Sequence, residues 1–169
     1  MGGTYRSPYA SEGRDYETEE TSTMATTEIP DAEDVLAPYW PLHGPYDDDR
    51  TRAAAALLGE AVRYLNYATG QGAATALPWA STAASVVDGF RRAAALMDQT
   101  LNQLNKRIEE FAADPTLEDW LNRDNPDAAV QQAREAQTML RRAKADASAL
   151  SVSLGTAFSC LNRLGHRDA

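Results

Sequence analysis

Apolar residues in the last third of the chain fall at Ala129, Ala133, Ala136, Leu140, Ala143, Ala147, Leu150, Leu154, Ala157, Leu161 and Leu164. The steps alternate between four and three without a break, the pattern of a helix with one packing seam. That predicts a helix over residues 125–164. A second run with the same spacing lies upstream: Ala83, Val87, Phe90, Ala94, Met97, Leu101, Leu104, Ile108 and Phe111. A helix gains most of its stability by burying such a seam. Two matched seams joined by a short connection therefore predict an antiparallel helical hairpin. In that hairpin the alanines at the start of the later helix face Leu104, Ile108 and Phe111, small against large.

The expected ends follow from capping chemistry. Asn125-Pro126-Asp127 reads as a start, with Asn as cap, Pro in the first helical position and Asp at the positive end of the helix. Gly165 reads as the stop. The earlier helix should end at Asp114-Pro115, because the residue before proline avoids the α region. Between the two, Thr116 to Leu121 predicts one helical turn, with Thr116 and Asp119 in capping-box spacing and Leu117, Trp120 and Leu121 closing the open end.

A third helix is predicted from Asp47-Asp48-Asp49 to Thr69, stopping at Gly70. Its apolar face is Ala54, Leu57, Leu58, Ala61, Leu65 and Ala68, with Val62 beside it, and it should pack on the hairpin. Trp79, at the end of the loop 71–80, is expected to anchor the next helix in the core. No alternating strand pattern occurs anywhere. The fold class is therefore all-α: a long antiparallel helical hairpin plus a shorter third helix. That three-helix bundle leaves seam uncovered, so completion by dimerisation is expected.

The front of the chain differs. Residues 1–28 are rich in Gly, Ser, Thr and Glu, with Tyr5, Tyr9 and Tyr16 scattered among them, and predict a disordered acidic tail. Met24 within it offers an alternative translation start. Residues 29–46 form a Pro/aromatic-rich arm in which Pro38, Pro41 and Pro45 interrupt Val35, Leu36, Tyr39, Trp40 and Leu42. Proline at that density predicts extended structure. The arm either packs across the core or docks on a partner through Tyr39 and Trp40. Residues 47–169 complete the division as the helical bundle domain.

Charge sharpens this picture. The net charge is −9, but residues 1–49 hold twelve Asp and Glu against two Arg, a balance of −10. Residues 50–169 hold thirteen against fourteen basic residues, a balance of +1. A nearly neutral domain does not suggest a nucleic-acid partner. Arg91, Arg92, Arg134, Arg141, Arg142 and Lys144 fall outside the seams, and Arg134 and Arg141 share a face. They form either a solvated surface or a seat for an acidic partner, the chain's own tail included.

Candidate chemistry is sparse. The single cysteine, Cys160, excludes a disulfide within the chain, is expected to flank the core, and fits a reducing, cytoplasmic setting. No apolar run approaches the ~18 residues of a membrane helix, and the N-terminus carries no apolar leader. His43 and His166 have no ligand at metal-binding spacing. There is no Glu-x-x-His pair, phosphate loop or G-x-S-x-G. Adjacent Glu109 and Glu110, and Asn102, Asn105 and Tyr64, are assigned to helix surfaces. No catalytic, metal or cofactor residue is therefore expected.

The stretch AVRYLNYAT over 61–69, followed by Leu77-Pro78 and the long hairpin, resembles short all-helical proteins of high-GC actinobacteria that have no assigned function. Secreted helical hairpins with Trp-x-Gly in the turn are set aside, because here the turn reads Trp120-Leu121-Asn122. The expected function is a non-catalytic helical interaction or assembly module that binds a protein partner or itself. One alternative is a regulatory binder whose acidic tail competes for a basic site. Another is a helical bundle that takes a small ligand between its helices.

Overall fold

The structure is a computed structural model that describes residues 29–125 and 127–165. The expectations for the tail at 1–28, for Pro126 and for His166 lie outside the described residues. All regular structure among the described residues is helical: α1 (Ala32–Leu36), α2 (Asp48–Gly70), α3 (Ala73–Ala76), α4 (Ala80–Ala112) and α5 (Ala128–Leu161). The chain divides into two units, Met1–Ala55 and Ala56–Ala169, with the division inside α2.

In the first unit the prolines do not enforce an extended arm. Asp31-Ala-Glu-Asp winds one helical turn, and the chain leaves it through hydrogen bonds from the Tyr39 and Trp40 N–H groups to the Leu36 carbonyl. Pro38 falls after the turn, where it breaks no helical bond. Gly44 has φ 83°, a conformation that favours glycine, and the Tyr46 hydroxyl closes the segment by donating to the Leu42 carbonyl. The start of α2 is capped as the acidic run predicts. Asp47 Oδ1 accepts from the Arg50 N–H at 2.7 Å, and Asp48 and Asp49 sit in the first turn.

The second unit is built on α4 and α5, which run antiparallel and pack along their length. The Ser151 hydroxyl donates to the Arg91 carbonyl, Ser148 and Lys144 meet Asp98, and Gln137 Nε2 donates to the Asn105 carbonyl. The buried side chains are small: Ala84 and Ala94 from α4, and Ala128, Ala129, Ala133 and Ala147 from α5. Alanine at these positions lets the two backbones approach closely. The part of α2 in this unit, Ala56–Gly70, makes no extended contact with either long helix, so the expected packing of that stretch on the hairpin is not found.

Several local expectations are corrected. α5 begins at Ala128 rather than Asn125. The Asn125 side chain instead accepts from the Asp127 N–H at 3.1 Å, forming a turn that precedes the helix. α5 ends at Leu161, before Gly165 is reached. No helical turn forms at 116–121. Asp114 there takes both the N–H and the hydroxyl of Thr116, and Asp119 takes the Leu121 N–H and the Asn122 amide, so side chains supply the bonds that a helix would need. Trp79 is the residue preceding α4 but is 58 % exposed, so it does not anchor a core. Trp120 and Leu121 are likewise exposed, and Cys160 is exposed rather than sheltered beside the seam.

Candidate interaction face

The line along which α4 and α5 meet shares only every second position with the apolar seam. On α4 the buried and half-buried residues include Ala84, Val87, Arg91, Ala94, Asp98, Leu101, Asn105, Ile108 and Ala112, and the bonds that Arg91, Asp98 and Asn105 make to α5 turn this line toward it. On α5 they include Ala133, Gln137, Leu140, Lys144, Ala147, Ser151, Leu154, Phe158 and Leu161. Every second position is one residue later than the seam predicts: Arg91 replaces Phe90, Asp98 replaces Met97, Asn105 replaces Leu104. Each helix is thus turned away from its partner by a fraction of a turn. Apolar layers alternate with polar ones across the hairpin.

This rotation places Arg91, Lys144 and Asn105 between the helices rather than outside them. Arg91 is held by Asp88 at 2.8 Å, and its aliphatic stem passes Gly155, where an added Cβ would lie 3.5 Å from Arg91 Cδ. Lys144 Nζ lies 3.5 Å from Asp98 Oδ2. Both members of that pair are more than a third exposed, so the contact is worth less than ~1 kcal/mol and serves alignment more than stability. The side-chain oxygen of Asn105 is buried without a hydrogen-bond partner.

The displaced seam residues come to the surface together. In an antiparallel pair, the positions one residue before the contact line lie on the same side of both helices, because chain direction and helix position reverse together. Phe90, Met97, Leu104 and Phe111 of α4 therefore share a face with Ala136, Ala143, Leu150 and Ala157 of α5. Leu104 is 48 % exposed and Leu150 51 %. Met139 lies along the same edge and is also exposed. At the turn end this face deepens into a groove of about 320 Å³, lined by Ile108, Phe111, Leu117, Trp120, Ala129 and Ala136, among others. Arg107 lies 4.5 Å above the Phe111 ring and pairs with Glu110. Arg123 reaches over Trp120 at 5.7 Å.

Two carboxyls of the connecting segment, Asp114 and Asp119, are held below the usual aspartate range. For Asp114 the main cause is the Thr116 hydroxyl, followed by the Thr116 N–H. For Asp119 it is the Asn122 side chain, followed by the Leu121 N–H. Both are hydrogen-bonded in the charged form and keep the turn ionised.

The residues singled out from sequence fall in both units, Tyr39 and Trp40 in the first and the arginines in the second. Tyr39 is exposed. Trp40 is half-buried, with its ring 5.8 Å from that of Tyr39 and its Nε1 donating to the Arg50 carbonyl at 3.0 Å. These two rings, with Asp49, Arg50 and Ala53, line a shallow cavity of about 280 Å³ within the first unit. Arg92 pairs with Asp88 at 3.2 Å. Arg134, Arg141 and Arg142 lie on the outer side of α5. Arg141 donates to Thr138 Oγ1 at 3.2 Å. Arg134 and Arg142 have no ion pair among the described residues. Asp98, Asn105, Gln137 and Ser151 were not legible as contact residues. The only trace they leave is a seven-residue spacing, 91–98–105–112 on α4 and 137–144–151–158 on α5, one residue after the seam positions.

Among the described residues, no three His, Cys, Asp or Glu side chains gather as metal ligands. No described helix is long and apolar enough to cross a membrane. The fold and this face define a helical hairpin with one apolar side. No known protein family, curated protein or solved structure matches the chain.

Proposed function

We propose that the protein is a non-catalytic helical interaction module whose working surface is the apolar face of the α4–α5 hairpin. The observation that carries this is the stripe of Phe90, Leu104 and Phe111, which the hairpin leaves exposed with half-buried Met97 among them, on the same side as the alanines and Leu150 of α5. A contiguous apolar surface of this extent is costly in water and marks a binding site. Its partner is read as a protein with a helical, apolar surface of its own. Packing of that kind uses the same ridges and grooves that join α4 to α5.

A photo-crosslinking amino acid placed at Leu104 tests this in the cells that make the protein. The expected product is an adduct with a second polypeptide. The same group at Gln99, on the opposite side of α4, should give none. Equal capture at both positions, or none at Leu104, would sink the reading.

A further inference from the structure

We infer that the occupant of this face is a second copy of the same chain, so that two hairpins close into an antiparallel four-helix bundle. This rests on the interaction-module reading and names its partner. Three observations carry it.

The first is size. α4 has 33 residues and α5 34, each about 50 Å long at a rise of about 1.5 Å per residue. Two such helices side by side, each about 10 Å across, present a strip of roughly 1,000 Å², above the ~800 Å² per partner of a stable interface. The chain's own α2, with 23 residues, reaches only about 35 Å along it and is a single ridge. A second hairpin covers the whole strip.

The second is shape. The face is large on the α4 side and mostly small on the α5 side, at Ala136, Ala143 and Ala157. A two-fold axis parallel to the helices lays α4 of one copy on α5 of the other and preserves height along the axis. Height follows from the contacts of Arg91 with Ser151, Asp98 with Lys144 and Asn105 with Gln137. In that arrangement Met97 meets Ala143 of the second copy and Leu104 meets its Ala136. In these two central layers large side chains fill the spaces above small ones in both directions, as an isologous interface requires, while Phe90 meets Leu150 as an apolar pair nearer the end. A perpendicular axis would set large on large and small on small.

The third is charge. The positions flanking the stripe on its outer edge are Val86, Ala93, Thr100 and Arg107 in α4, and Gln132, Met139, Asp146, Ser153 and Cys160 in α5. Only one cation and one anion occur among them, and Arg107 already pairs with Glu110. Charged residues are depleted at the centre of interfaces in this way.

The test uses the full chain. Light scattering behind size exclusion, from dilute to concentrated protein, should give a dimer. Leu104→Glu should return it to a monomer with unchanged helix content by circular dichroism. Leu104 is half exposed within one hairpin, so the variant keeps its fold. In a second measurement, Met97→Cys and Ala143→Cys chains, each also carrying Cys160→Ser, are mixed and oxidised. A covalent heterodimer should form, and neither chain should form one alone. Three results would overturn the inference: a wild-type monomer at every concentration, a dimer that survives Leu104→Glu, or no mixed crosslink. Oxidation of Met97 and Met139 in a wild-type monomer separates the two readings. Exposed methionines would leave the face available to a different protein, whereas protected ones would mean that the chain covers its own face, and the module reading falls as well.

Discussion

Asn105, Asp98 and Lys144 sit where the apolar pattern reserves no place for them, between the long helices. Their energetic contribution is small, but a slide of three or four residues would bury these polar groups against an apolar layer, which raises the cost of a buried amide oxygen without a partner. Single residues also govern the connection. Asp114 and Asp119 are held ionised by Thr116 and by Asn122 with Leu121. A depressed folded-state value means that their contribution is present above the unfolded value of about 3.9 and is lost as pH falls through the lower folded value. Carboxyl titration followed by NMR should place both groups below a free aspartate. Thr116→Val should move Asp114 back toward the free value and leave Asp119 where it was. If Asp114 did not respond, the hydroxyl would not be the cause.

At the scale of elements, the two long helices were legible because their seams hold a strict four-three spacing over more than four heptads each. No competing period survives that length. Their ends were less legible. Asn125 and Thr116 belong to residue types that cap helices, but here the Asn125 side chain closes a local turn and the Thr116 hydroxyl donates to Asp114, which closes another. The candidate site was only half legible. Phe90, Met97, Leu104 and Phe111 were recognised as seam residues, but the surface they would face could not be read from spacing, because a helix in a bundle has two neighbours and one seam serves both. The rotation has a direct consequence at Ala94, which is 2 % exposed and lies level with Ala147 across the hairpin. Ala94→Leu adds apolar surface, yet should destabilise the protein by about 1–3 kcal/mol, since there is no room between the backbones. Denaturant unfolding measures this directly. An unchanged or raised midpoint would mean that the close approach of the helices is not what the alanines provide.

For the whole molecule, association is expected to add to stability. Only alanines are buried among the described residues, so a single hairpin keeps its two long helices ordered with little to spare. If a second copy supplies the missing cover, the melting temperature must rise with protein concentration by mass action. Calorimetry over a broad concentration range checks this, and a constant melting temperature would assign the stability to the single chain. The sequence by itself determined the helical class, the two long elements and their antiparallel pairing, because periodicity is a local property that each helix carries alone. It also set the separation of an acidic front from a neutral remainder, because composition needs no structure. Only the tertiary structure decided which edge of each seam faces the neighbouring helix. Both edges are apolar enough to pack, and the choice rests on close contact between alanines and on side-chain hydrogen bonds joining residues 32 to 60 positions apart, information that no single stretch of chain contains.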